Sequence, residues 1–304
     1  MYGYKHLSNI FKSAKRISFN NFSKIVIMSD CHRGDGNWAD TFYKNQNIYY
    51  TALRNYYDDN YIYIELGDGD ELWENNNLSD IIYAHKDIFW MLSQFYKEGR
   101  LYFIYGNHDI VKKDENFVKN NMNYYFYQRT KEYITLFKDI EVNEALVLRH
   151  ENTGNEIFLV HGHQVDFMDD KMWKLRRFLV RYLWKPLEMW GINDPTRTAK
   201  NYEKKEFIGK KLTKWVKEEK QMMISGHTHR SIFPEVDDIP YFNDGSCVHP
   251  RCITAIEIKH GDIMLVKWEV KTKRDGTLFI GKEVLAGPKN LNYYFNFNVK
   301  ADNV

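Results

Sequence analysis

Five short stretches of this 304-residue chain carry side chains that bind metal ions: Asp30-Cys-His32, Gly67-Asp68, Gly106-Asn-His-Asp109, His161-Gly-His163 and Gly226-His-Thr-His229. Mixed imidazole, carboxylate and amide donors without thiolate suit Mn, with Fe or Zn as alternatives, rather than Ca or a structural Zn. Two such ions about 3.5–4 Å apart form a clamp for in-line displacement at phosphorus, and they lower the pKa of water from about 15.7 toward about 7. The candidate ligands are Asp30, His32, Asp68, Asn107, His161, His227 and His229. Asp68 is the candidate bridge between two ions.

That chemistry needs all five stretches at one rim. Each follows a short apolar run, such as Ile25-Val-Ile-Met28 or Tyr61-Ile-Tyr-Ile64, which reads as a buried strand. In an open α/β sheet, ligands sit beyond the carboxyl ends of the strands. Gly67 lets the chain leave its strand sharply. Thr41–Tyr57 and Ser79–Lys97 read as crossover helices, Ile110–Asp139 as irregular or loosely helical, and Ala145–Arg149 with Glu156–Val160 as a hairpin. Strands at Tyr241–Phe242, Cys252–Ile258, Ile263–Val270 and Thr277–Ile280 suggest a second sheet packed on the first. The fold class is α/β, with two packed mixed sheets flanked by helices.

Between the last two ligand stretches lie roughly 55 residues with almost no strand character. Met172, Leu175, Phe178, Leu179, Tyr182 and Leu183 form one helical stripe there, among basic residues that include Arg177 and Arg181. Pro186 should end that helix, and a second charged helix spans roughly Ala199–Lys220. The expected organisation is a single domain over 1–304 with an inserted helical cap at about 168–220. The stripe either fixes the cap to the body or lines a groove for an apolar tail, with basic side chains holding phosphate. Residues 4–17 form an amphipathic helix, either packed on the body or lying on an anionic membrane.

A net charge of +2 gives no electrostatic case for nucleic acid as a partner. Three cysteines without a Cys-x-x-Cys pair suggest a reducing compartment, and Cys31 reads as a small buried residue. No apolar run reaches the ~18 residues that span a bilayer. The expected location is cytoplasmic, with peripheral contact at the inner face of the membrane left open. His85, His150 and His260 read as surface residues.

In order, the five stretches resemble the motifs of the calcineurin-like metallophosphoesterases: Asp-x-His, Gly-Asp, Gly-Asn-His-Asp/Glu, a His, and Gly-His-x-His. The resemblance spans about Lys24–Arg230. It implies a metallophosphoesterase-type sandwich and metal-dependent hydrolysis of phosphorus esters or anhydrides. It further implies that Asp30, His32, Asp68 and His229 hold one metal, and Asp68, Asn107, His161 and His227 the other. His108 would be the general acid or phosphate contact, with Asp109 orienting it.

Gly67-Asp-Gly-Asp-Glu-Leu-Trp73, Asp169-Asp170 and Gly226-His-Thr-His-Arg230 are similar to blocks of the UDP-2,3-diacylglucosamine pyrophosphohydrolases. Those enzymes carry Arg in place of His108 and typically Asp in place of His163. The subgroup resemblance implies a nucleotide-linked or lipid-linked phosphorylated substrate, with Arg177, Arg181, Asp169 and Arg230 as substrate contacts. A phosphodiesterase or phosphatase acting on a soluble nucleotide or phosphoprotein is the alternative, and a non-catalytic metal-binding scaffold a third reading.

Overall fold

Ile25, Val26, Ile27 and Met28 are all fully buried, because their strand is covered on both faces. Alternation sends Ile25 and Ile27 toward a second sheet and Val26 and Met28 toward helices. The computed structural model describes residues 3–127, 129–170, 172–184, 202–295 and 297. It repeats this pattern through four layers.

The strands in chain order are β1 (Lys15–Phe19), β2 (Lys24–Met28), β3 (Ile62–Leu66), β4 (Leu101–Ile104), β5 (Tyr124–Tyr127), β6 (Glu132–Thr135) and β7 (Val142–Asn143). There follow β8 (Ala145–His150), β9 (Glu156–Val160), β10 (Met222–Ser225), β11 (Tyr241–Asn243), β12 (Cys252–Lys259), β13 (Asp262–Thr272) and β14 (Leu278–Asn290). One sheet has the order β14-β13-β12-β2-β3-β4-β7 and the other β1-β8-β9-β10-β11. Ile25, Ile27, Ile64, Leu66 and Ile104 meet Leu146, Leu148, Ile157, Leu159 and Ile224 between the sheets. Helices Gln46–Asp58, Leu78–Ala84 and Lys86–Lys97 cover the outer face of the seven-stranded sheet.

β2, β3 and β4 run parallel, as do β9 and β10. All five ligand stretches therefore leave carboxyl ends, three from one sheet and two from the other. The two-sheet α/β class holds, with changes in membership. β12, β13 and β14 do not make a separate sheet; β12 pairs with β2 and extends the first one. The segment read as irregular or loosely helical, Ile110–Asp139, contains helix Glu115–Asn121, in keeping with that reading, and the β5–β6 hairpin, which it did not anticipate.

The N-terminal helix, Tyr4–Ser13, packs on the body. Leu7 and Ile10 are buried, Phe11 meets Phe158 and Trp215 edge-on, and Trp215 Nε1 donates to Ser8 Oγ at 3.0 Å. In the insertion, helix Trp173–Leu179 continues into a π-helical turn at Val180–Trp184, and helix Tyr202–Glu219 follows. The latter buries Ile208, Leu212, Trp215 and Val216 against the five-stranded sheet. By contrast Leu175, Phe178, Leu179, Tyr182 and Leu183 are exposed, so the stripe does not glue its helix to the body. Pro186 and Ala199 fall outside the described residues. Among the described residues no helix is long and apolar enough to cross a membrane.

His85 is a correction: it is buried, with Nε2 2.8 Å from Asp40 Oδ2. His150 is buried too, edge-on to Phe19, whereas His260 is exposed as expected. Cys31 is fully buried in the core behind the site.

Candidate metal centre

The loops beyond β2 and β3 keep pairing after the strands end. Asp30 N–H donates to Gly67 O at 3.0 Å, and His32 N–H to Asp68 O at 2.9 Å. Across the sheets, His227 N–H donates to Asp30 Oδ2 at 2.8 Å, and Gly226 N–H to His161 O at 3.0 Å. Five of the seven candidate ligands, Asp30, His32, Asp68, His227 and His229, have φ between 48° and 67°. That left-handed region is uncommon for residues with a Cβ and marks backbone held by its surroundings. Two glycines permit the approach. A Cβ on Gly67 would meet the His161 ring at 2.5 Å, and one on Gly106 would meet Asp68 Oδ1 at 2.2 Å.

Asp68, His161 and His32 are each fixed at one end and aimed at the other. Asp68 Oδ1 accepts from His108 N–H at 2.7 Å. Its Oδ2 lies 3.2 Å from His161 Nε2 and 3.8 Å from His32 Nε2, between two groups of donors. One group is Asp30, His32 and His229; the other is Asp68, His161 and His227. Within each, one ligand atom per residue lies within 4.8 Å of the others. In the first, His229 Nε2 is 3.0 Å from Asp30 Oδ1 and 3.2 Å from His32 Nε2. His161 Nδ1 bonds Leu66 O at 2.8 Å, which turns Nε2 inward as a metal ligand requires.

Asp30 Oδ1, Asn107 Oδ1, His161 Nε2 and His227 Nε2 are buried without a hydrogen-bond partner among the described residues. Asp30 Oδ1 approaches His229 closely but outside hydrogen-bond geometry. Orphaned buried polar atoms are rare and costly. Four such atoms belong to candidate ligands, and those of Asp30, His161 and His227 fall in the two donor groups, which fits divalent cations.

The charges interlock. Burial opposes ionisation of Asp68, but His161 and His108 hold its carboxyl well below the usual range. Burial likewise opposes ionisation of Asp30, and His229 and His161 more than offset it. Burial also works against the His161 imidazolium, yet Asp68 and Asp30 raise its pKa to about 9. His227, buried and next to His161, is pushed down.

Sequence reasoning missed several supports. Glu71 stands in the sequence only as part of the Gly67–Trp73 block, yet its two oxygens reach His32 Nδ1 at 2.9 Å and His108 Nδ1 at 2.8 Å. Trp73 stacks on His108 with ring centres 4.2 Å apart. The spacing Asp68-x-x-Glu71-x-Trp73 was the available signal. Asp244 was not considered. Ser29 Oγ lies 2.5 Å from Asp30 Oδ2 and 2.7 Å from Asp244 Oδ1, and one hydroxyl proton cannot serve both. Burial and the neighbouring Asp30 push the Asp244 carboxyl above the usual carboxylate range.

Asp109 needs correction. It does not touch the His108 ring; Oδ1 accepts from Gly106 N–H at 2.7 Å, and Oδ2 from Gly69 N–H at 3.1 Å and Lys112 Nζ at 2.8 Å. It shapes the loops while Glu71 orients the imidazole. Arg181 is a second correction, because its guanidinium is committed to the carbonyls of Leu72, Trp73 and Asn75. Arg177 lies over the Trp173 ring, 4.9 Å from its centre. Asp169 is buried, 3.6 Å from His227 Nε2 and paired with Arg176 and Lys204, so it borders the metal centre instead of an open substrate site. Arg230 is exposed, over the ring of Tyr202. His163 is buried 5.5 Å from the His161 ring centre; burial and His161 lower its pKa to about 3.

The family described as calcineurin-like phosphoesterase matches residues 23–231. No curated protein matches the chain. Among solved structures the chain is similar to Vps29 of Chaetomium thermophilum, at 10% identity and a TM-score of 0.37, over 88% of this chain and 97% of that one.

Proposed function

The chain belongs to the calcineurin-like phosphoesterase family and is a metal-dependent phosphoesterase, and from that premise we propose that it hydrolyses a phosphodiester or phosphoanhydride in a nucleotide-linked or lipid-linked substrate. The observation that carries the reading is the pair of buried donor groups, Asp30/His32/His229 and Asp68/His161/His227, each with its ligand atoms within 4.8 Å of one another. Asp30, His32, Asp68 and His229 would hold one ion, and Asp68, Asn107, His161 and His227 the other. Divalent ions held there, Mn first with Fe or Zn as alternatives, would supply Lewis acidity at phosphorus and would acidify a water.

The protein's own part is positioning and proton transfer. His108, stacked on Trp73 with Nδ1 tied to Glu71, presents Nε2 to the leaving oxygen as proton donor or phosphate contact. Asp109 and Lys112 keep the Asp68 and His108 loops in register beneath it.

The finer assignment is a capped subgroup similar to the UDP-2,3-diacylglucosamine pyrophosphohydrolases, with residues 1–304 as one unit and a cap at about 168–220. It is supported by Asp68-x-x-Glu71-x-Trp73 and by the exposed Leu175, Phe178, Tyr182 and Leu183, a surface suited to an apolar tail. His108 favours the second reading, a phosphodiesterase or phosphatase acting on a soluble nucleotide or phosphoprotein. Hydrolysis of bis(p-nitrophenyl) phosphate and of UDP-sugars, with Mn present, tests both. Activity should vanish on chelation and in Asp68→Asn. Turnover that survives both would remove the proposal.

A further inference from the structure

Helix Tyr202–Glu219 presents one flank to a groove of about 1030 Å3. Lys205, Lys210, Lys214, Lys217, Lys220 and Arg230 line it. Its acids, Glu206 and Glu218, each lie four residues from a lysine and pair with it, Glu206 with Lys210 at 2.7 Å and Glu218 with Lys214 at 3.5 Å. Neither Lys205 nor Arg230 has a carboxylate partner among the described residues. A chain of net charge +2 has thus gathered an excess of cations in one groove.

None of the seven candidate ligands lines the groove, but two residues beside them in the chain do. Thr228, between His227 and His229, lines it, as does Arg230 just beyond His229. Lys205 is partly buried, which works against its ammonium, and it senses both Arg230 and Asp30. Along the helix, Lys205, Gly209, Thr213 and Lys217 follow one another at four-residue spacing over about 18 Å. Ile232 and Ile239, each partly exposed, give the opposite wall apolar surface over the buried Tyr241.

A basic helix flank is often no more than a solvated surface. Gly209 argues otherwise. A glycine inside a helix costs about 1 kcal/mol relative to alanine. A Cβ built there would meet nothing within 4 Å, so packing does not require the glycine. What its absent side chain preserves is open space in the groove.

We propose that this groove binds the strand of a single-stranded oligonucleotide whose scissile phosphodiester lies at the metal centre. Lys205, Lys220 and Arg230 take phosphates, and the partly exposed Ile232 and Ile239 receive the sugars between them. An inorganic polyphosphate would leave the apolar wall unused. The whole-chain charge gave no reason to expect nucleic acid; its distribution does. The inference rests on the phosphodiesterase reading above.

The test is fluorescence anisotropy of a fluorescein-labelled single-stranded oligonucleotide with the full chain, in Mn and a range of salt. Binding should weaken with salt at a log–log slope near about −2, for roughly three phosphates engaged. Lys205→Glu/Lys220→Glu and, separately, Gly209→Trp should each weaken it about tenfold or more. Lys271→Glu/Lys289→Glu, outside the groove, should not. Circular dichroism melting checks that each variant is folded; if one groove variant does not fold, the other decides. No binding, equal loss in the control pair, or capture of long-chain polyphosphate but not the strand would overturn the proposal. Hydrolysis of bis(p-nitrophenyl) phosphate by the unaltered protein separates the two ideas. A chain that hydrolyses it but ignores the strand loses only the groove, and one that binds the strand without hydrolysing either substrate loses the reaction.

Discussion

At the scale of single residues, the donor types were visible in the sequence and their aim was not. Asp, Asn and His at the ends of apolar runs are legible letter by letter. Nothing in the letters says that Asp30, His32, Asp68, His227 and His229 adopt positive φ, because that strain is imposed by partners far along the chain. Nor does the sequence say that one carboxylate, Glu71, ties a metal ligand to the candidate acid. Glu71→Gln keeps the size but cannot accept from both imidazoles as a charged group. We expect activity on bis(p-nitrophenyl) phosphate to fall about 10–100-fold, with weaker metal retention, by analogy with other partners of metal-bound histidines. Unchanged kinetics and metal content would show that the two contacts are incidental. Gly106→Ala makes a harsher test. Its methyl would fall 2.2 Å from Asp68 Oδ1, so Asp68 must move and bound metal should drop while the far-ultraviolet circular dichroism spectrum stays native.

At the scale of elements, apolar runs and turn signals located β2, β3, β4, β9 and β10, since burial on both faces leaves a continuous apolar pattern. Partners were harder, because a strand's sequence does not name its neighbour. That is why β12–β14 read as a separate sheet when they extend the first, and why the β5–β6 hairpin was missed. The charged residues under the site were equally hidden. Arg33 is fully buried, with Nη1 and Nη2 on the Glu65 carboxylate at 2.7 and 2.8 Å and Nε on Asp70 at 2.7 Å. Lys112 joins Asp70 to Asp109, so this network supports the loops that carry Asp68 and Asn107. Removing one partner strands a buried charge, which costs about 3–5 kcal/mol. Glu65→Ala should therefore lower the urea midpoint sharply, whereas a loss below about 1 kcal/mol would mean that water replaces the carboxylate.

At the scale of the whole molecule, the two sheets bring stretches two hundred residues apart to one rim, and the N-terminal helix closes the outer face beside them. That helix could be read from the sequence as membrane-bound or packed, since amphipathicity is common to both. Burial of Leu7 and Ile10 and the Ser8–Trp215 bond decide for packing. Leu7→Ala should cost about 2–5 kcal/mol of stability in solution; a negligible effect would return the helix to the membrane reading. The central claim is that seven side chains from both sheets enclose two cations. The most direct measurement is anomalous X-ray diffraction from crystals of the full chain grown with Mn. Two peaks about 3.5–4 Å apart are expected, one by Asp30, His32 and His229, one by Asn107, His161 and His227, with Asp68 between. No peak among these residues, or density confined to Asp166 and Asp169, would contradict it.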